Sequence, residues 1–165
     1  MALEQITLNK ISQLHPKVRE EITTLLEKAE SVIDSDYRIR VIQGLRTIEE
    51  QDALYAKGRT TPGSIVTKAK GGSSYHNYGL AIDLCWLIKQ SDGSYKYEEK
   101  RSWIFGPQYQ KIVKIFKEAG YTWGGDFKSI KDAPHFEKNF GVNWRTLYKK
   151  YVSKDFIPNT NYVNI

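Results

Sequence analysis

Ser73 to Trp86 reads SSYHNYGLAIDLCW, and this stretch decides how the chain is built. From Gly79 onward it has the pattern of a strand. Leu80, Ile82, Leu84 and Trp86 point one way, and Ala81, Asp83, Cys85 and Leu87 the other. Both sets are largely apolar, so the strand is expected at the centre of a sheet, covered on both faces. Asp83 is then a carboxylate in apolar surroundings. Burying an ionised carboxylate is costly unless it is paired or bound to a metal. His76 lies just upstream, with the small residues Gly79 and Ala81 between the two.

A second group lies downstream. Asp132-Ala133-Pro134-His135 adds another imidazole, with a carboxylate three residues before it. Pro134 disfavours helix at Ala133, so Asp132 and His135 are not expected to share a helix. His135-Phe136-Glu137 reads as a short strand.

Working outward, Lys17 to Ile33 is expected as the first long helix, with Val18, Ile22, Leu25, Leu26, Ala29 and Ile33 at helical spacing and Pro16 at its entry. Thr7 to Ser12 is a short helical lead-in. Tyr37 to Gln43 reads as a strand. Gly44 breaks it, and Thr47 with Glu50 forms a capping box for a helix running to about Lys57. Arg46 thus stands at a strand-to-helix junction, where it is either a presented functional group or an ordinary surface arginine. Arg59 to Gly72 is an irregular loop with a short strand expected at Ile65-Val66. A loop this long in a compact domain is often functional. Ser91 to Ser94 is a hairpin turn returning through Tyr95 to Tyr97. Pro107 to Ala119 is an amphipathic helix with Tyr109, Ile112, Val113, Ile115 and Phe116 as its apolar stripe. Tyr121 to Trp123 is a short strand, Asn143 to Tyr151 a last helix, and a polar tail follows Pro158.

Composition sets the outer bounds. With 165 residues and 40% hydrophobic content, one folded domain over 1–165 is expected. No apolar run approaches twenty residues, so no membrane span is expected, and the start, MALEQITLNK, has no apolar signal region. Cys85 is the only cysteine, which excludes an internal disulfide and a thiolate metal cluster. A metal site would have to be built from His, Asp and Glu. The formal charge of +6 favours an anionic partner, but the cations are spread along the chain, as on a solvated surface with mild steering. Nucleic acid is not the expected partner.

A catalytic zinc commonly has three protein ligands and one open position. His76, Asp83 and His135 meet that count, Asp132 is the candidate general base, and Arg46 the candidate for stabilising charge on the carbonyl oxygen. The spacings are not those of the HExxH helix. A plainer reading stands beside this one: two histidines with ordinary hydrogen bonds, Asp83 paired with an arginine, and Asp132 capping a turn.

Taken together, these elements resemble a known family. Ser74-x-His76-x-x-Gly79-x-Ala81-x-Asp83 is similar to the S-x-H-x-x-G-x-A-x-D signature of the M15 metallopeptidases, and Asp132-x-x-His135 to their acidic-x-x-His element. That family includes D-alanyl-D-alanine carboxypeptidases, vancomycin-resistance D,D-dipeptidases and phage L-alanyl-D-glutamate endopeptidases. Leu54 to Thr60, Pro62-Gly63, Ser74 to Gly79 and Trp123 to Asp126 resemble the endopeptidase branch most closely. The similarity spans about residues 37–140.

The resemblance implies a small α+β domain of the Hedgehog/D,D-peptidase kind, an antiparallel sheet with helices packed around it. It implies a Zn2+ cofactor held by His76, Asp83 and His135, with Asp132 as the base. The dipeptidase branch usually has Glu there, and Asp is what the endopeptidase branch shows. Arg46 would polarise the scissile carbonyl, and Ser74 would contact substrate or support a ligand. The implied substrate is the L-alanyl-D-glutamate bond of bacterial peptidoglycan stem peptides, cut by a monomer. A D-alanyl-D-alanine carboxypeptidase or dipeptidase, and a non-catalytic metal-stabilised module, are the alternatives. No separate wall-binding domain is expected. The absent signal region fits an enzyme made in the cytoplasm that reaches the wall after release through a membrane pore, or as part of a phage-like particle.

Overall fold

The computed structural model describes residues 2–165. Helices α1 (Gln5–Ser12) and α2 (Pro16–Val32) come first, followed by strand β1 (Tyr37–Gln43) and helix α3 (Ile48–Ala56). A 3-10 turn at Tyr75–Tyr78 leads into β2 (Ala81–Lys89), which returns through β3 (Tyr95–Lys96). Helix α4 (Pro107–Glu118), the short strands β4 (Thr122–Trp123) and β5 (His135–Glu137), and helix α5 (Trp144–Val152) complete the order. The sheet runs β1-β2-β5-β4, with β3 also on β2, and every pair is antiparallel. This is the small α+β architecture expected.

β2 is central because both of its faces are apolar: seven of its nine residues are buried, Asp83 is partly so, and only Lys89 is exposed. Leu80, Ile82, Leu84, Trp86 and Ile88 enter one core with Ile39 and Val41 of β1, the Val18, Ile22, Leu26 and Ala29 stripe of α2, and Tyr109, Ile112 and Phe116 of α4. Each such aliphatic side chain contributes about 1.5–3 kcal/mol on burial. Every member of the expected α4 stripe is buried. In α2 Pro16 stands at the first helical position as expected, and the ring of His15 provides the cap, accepting from the Lys17 amide at 3.2 Å. The Thr47–Glu50 capping box forms with both of its hydrogen bonds.

Two expectations fail. Ile65-Val66 is not a strand: both residues are exposed, and the loop is tied down by side chains instead. Gln51 donates to the Ala69 carbonyl at 2.9 Å, Asp52 accepts from the Gly71 amide at 2.8 Å, and Arg59 donates to the Thr67 carbonyl at 3.1 Å. Nor is the stretch after Pro158 a polar tail. Val163 is buried in the core and bridges to Phe156, and Tyr162 donates to the Gln13 carbonyl at 2.7 Å.

Gly79 joins the fold to the site. It ends the 3-10 turn in the left-handed region, at φ 68°, and a Cβ there would lie 2.5 Å from the His15 backbone nitrogen. Only glycine meets both demands. The close approach lets the His15 amide donate to the Gly79 carbonyl at 3.0 Å, locking the turn that carries His76 against the start of α2.

Candidate metal centre

The strand alternation that buries Leu84 on the core face puts Asp83 on the opposite face. The register of β2 with β5 sets Asp83 directly across from His135. On β5, Phe136 turns into the core, so its neighbours His135 and Glu137 face the same side as Asp83. His76 arrives from the 3-10 turn. That turn is capped by Ser74, whose Oγ accepts from the His76 amide at 3.3 Å. It is clamped by Asn77, whose Oδ1 accepts from the Gly72 amide at 3.0 Å and whose Nδ2 donates to the Arg46 carbonyl at 3.0 Å.

One ligand atom from each of His76, Asp83 and His135 lies within 4.8 Å of the other two. His135 Nδ1 is 3.1 Å from Asp83 Oδ1, and His76 Nε2 is 3.3 Å from the same oxygen. The rings stand edge to face with centroids 5.0 Å apart. Their outward nitrogens are already used: His76 Nδ1 pairs with the Gly44 carbonyl at 2.8 Å, and His135 Nε2 with Glu137 at 2.9 Å. His76 Nε2 is left buried without a hydrogen-bond partner. Buried polar nitrogens are normally satisfied, so an orphan facing a carboxylate and a second imidazole fits a cation held among the three. Two neutral imidazoles and a carboxylate are a donor set that suits zinc.

The plainer reading is met in part, since both rings make hydrogen bonds and Arg46 forms a long ion pair with Asp83, but it leaves His76 Nε2 without a partner. Arg46 Nη2 approaches Asp83 Oδ2 only to 3.9 Å, too far for a hydrogen bond, and its Nη1 donates to Gln51 at 2.9 Å. Asp132 shapes its turn through its backbone, its amide donating to the Gly124 carbonyl at 2.9 Å and its carbonyl accepting from His135 at 3.1 Å. Its carboxylate is left free to face the cleft. That side chain is 46% exposed, with Oδ2 3.9 Å from His135 Nδ1.

Arg46, Ser74, His76, Asp83, Asp132 and His135 all line one cleft of about 450 Å³, with Phe127 and Glu137 in its wall. Every site residue expected from the sequence is therefore brought together. Gln51 and Glu137 are the additions. Gln51 is fully buried, and its amide joins Arg46 to the Ala69 carbonyl of the long loop. The His-x-Glu alternation on a strand was the signal available for Glu137. For Gln51 there was none.

The local fields follow from this geometry. Burial pushes Asp83 up, but the facing His76 and the hydrogen bond from His135 outweigh it and hold the carboxyl well below the usual range. Burial pushes the His135 imidazolium down, while its bonds to Asp83 and Glu137 and their charges carry it up to about 10. Burial, then repulsion from Asp83, raises Asp132. Raising His135 above its unfolded value of about 6.5 stabilises the metal-free fold fully below that pH, and this contribution is lost as pH rises through about 10. The Asp83 contribution runs the other way, present above about 4 and lost in acid. Metal-free protein is therefore expected to melt lower at pH 10 than at pH 6. A thermal melt series checks this, and the difference should shrink in His135→Gln.

Gly124 is a further point of control. A Cβ there would lie 2.2 Å from the Asp132 carbonyl oxygen and 2.9 Å from the His135 Cβ. Gly124→Ala must displace the turn that carries both residues. A displacement near 1 Å can cost about 100-fold in rate, and that loss is the expected result in a turnover assay on folded variant.

A family model described as D-alanyl-D-alanine carboxypeptidase matches residues 67–138, a segment that contains His76, Asp83, Asp132 and His135. Over 134 residues the chain is 40% identical to the peptidoglycan L-alanyl-D-glutamate endopeptidase CwlK of Bacillus subtilis (strain 168), covering 76% of this chain and 74% of that one. Among solved structures, the Serratia marcescens L-Ala D-Glu endopeptidase ChiX superposes with a TM-score of 0.54 at 20% identity, covering 85% of this chain and 91% of the other. The vancomycin-resistance D,D-dipeptidase VanXYg superposes with a TM-score of 0.53 at 19% identity, covering 88% and 61%. At those identities the structural likeness speaks for the fold, and the sequence match to CwlK speaks for descent. The chain belongs to the M15 family of zinc metallopeptidases.

Proposed function

We propose that this protein hydrolyses the L-alanyl-D-glutamate bond of peptidoglycan stem peptides. The observation that carries the chemistry is the meeting of His76 Nε2, Asp83 Oδ1 and His135 Nδ1 in a cleft that also holds the Asp132 carboxylate. The choice of bond is supported by the 40% identity to CwlK, a protein named for that cleavage.

His76, Asp83 and His135 would hold the zinc, which when bound supplies Lewis acidity to a carbonyl and to water. Asp132 takes a proton from the attacking water as its oxygen adds to the alanyl carbonyl carbon. It then hands that proton to the glutamyl nitrogen as the C–N bond breaks. The raised Asp132 pKa makes it a stronger base than an open-solvent aspartate. The Arg46 guanidinium, held by Gln51 at the cleft wall, faces the charge that builds on the carbonyl oxygen. Ser74 keeps the His76 turn in shape and lines the floor where the peptide passes. The net charge of +6 favours approach to an anionic wall. The enzyme is expected to act as a monomer.

A second reading has a specific source, since the matching family model is described as a D-alanyl-D-alanine carboxypeptidase. One digest separates the two. Purified muropeptides are incubated with the zinc-loaded protein and the products are weighed by mass spectrometry. A new D-glutamate N-terminus supports the endopeptidase, and released D-alanine supports the carboxypeptidase. Cleavage that persists after complete chelation rejects both.

A further inference from the structure

The two imidazoles face Asp83 through different nitrogens. His76 presents Nε2 and turns Nδ1 to a neutral carbonyl, that of Gly44. His135 presents Nδ1 and turns Nε2 to a carboxylate, that of Glu137, at 2.9 Å. His135 and Glu137 are alternate residues of the same short strand, so both emerge on one face. Across the β2–β5 pair Glu137 stands opposite Ala81, whose methyl group takes little of the space beside it. The Glu137 side chain is only 12% exposed, and its carboxylate makes one side-chain hydrogen bond among the described residues, the one to His135. A carboxylate so far from water needs a reason to be there.

We infer that Glu137 is the positioning residue of the metal centre: by accepting a hydrogen bond from Nε2–H of His135 it holds that ring with Nδ1 turned toward Asp83, where Nδ1 is available as a ligand when zinc is bound. The imidazole χ2 torsion is broad. A half-turn about it would put a carbon where Nδ1 stands and remove one ligand of three. Neither Pro134 before the ring nor Phe136 after it can hydrogen-bond to it through a side chain. Asp83 meets the ring on the metal side, and Glu137 is the side chain that distinguishes the two orientations from the far side. The inference rests on the zinc reading of the His76, Asp83 and His135 cluster, and it names a fourth side chain on which that cluster depends.

The test measures zinc affinity by competition with a chromophoric chelator, and reads the ring nitrogens of 15N-histidine-labelled, zinc-loaded protein by long-range 1H–15N correlation. Glu137→Ala is expected to weaken zinc binding about 10–100-fold, the range for outer partners of ligating histidines. Glu137→Gln, whose amide oxygen still accepts a hydrogen bond, should lose clearly less and keep the unmodified pattern of metal on Nδ1 and proton on Nε2 of His135. Zinc affinity in Glu137→Ala within threefold of the unmodified protein would overturn the inference. So would equal losses in both variants, or a spectrum with the His135 proton on Nδ1. If Glu137→Ala does not fold, Glu137→Gln and the spectrum of the unmodified protein decide. Failure of the unmodified protein to bind zinc would sink the metal reading itself. Failure to cut L-alanyl-D-glutamate bonds with the affinity losses intact would leave this inference standing.

Discussion

An Asp132→Asn variant is expected to lose about 10²–10⁴-fold in kcat, the usual worth of a positioned general base, while binding zinc as the unmodified protein does. The split follows from the structure. The Asp132 backbone builds the turn before His135 through bonds to Gly124 and from His135, and an asparagine keeps both. The carboxylate has no hydrogen bond to either imidazole, its nearest approach being 3.9 Å from His135 Nδ1. What asparagine removes is the capacity to take a proton from water and return it to the leaving nitrogen. Steady-state turnover on a muropeptide, with zinc content measured on the same sample, gives both numbers. A variant that loses its zinc along with its activity would make Asp132 a structural residue, and one that keeps full turnover would remove it from the reaction.

Asp83→Asn carries the other large effect. Among the described residues Asp83 is the one anion that lies close to both imidazoles, its Oδ1 3.1 Å from His135 and 3.3 Å from His76. It is held ionised despite burial, because the interactions with His76 and His135 outweigh the cost of desolvation. Asparagine keeps the shape and removes the charge that a divalent cation requires of this donor set. Zinc affinity is expected to fall by more than 100-fold, beyond what an outer partner is worth, and hydrolysis to the level of chelated protein. Competition with a chelator measures the first and the muropeptide digest the second. Unchanged zinc affinity would mean that the metal is held elsewhere.

Much of this was legible in the sequence because it is local or periodic. The two-residue alternation of β1 and β2 and the apolar stripe of α4 fall where the structure puts them, as does the Thr47 capping box. The ligand set was legible through its resemblance to a known pattern, since spacing alone left both histidines open to a structural role. What could not be read depends on partners distant along the chain. The loop at residues 59–72 was expected to hold a short strand at Ile65-Val66. Its backbone at Ala69, Gly71 and Gly72 is tied instead by Gln51, Asp52 and Asn77, which lie on neighbouring elements. Gln51 gives no sign in the sequence that it is fully buried or that it holds Arg46. Val163 lies in a short stretch with no helical or strand periodicity, and only the folded chain shows what it fills.

That last contact reaches further than its size suggests. The Val163 carbonyl pairs with His15 Nε2 at 2.8 Å, the His15 amide grips Gly79, and Gly79 closes the turn that presents His76. The final residues thus brace the metal-bearing loop from behind, like a buttress on the far side of a wall. Removing them would therefore tug on the cofactor cradle itself.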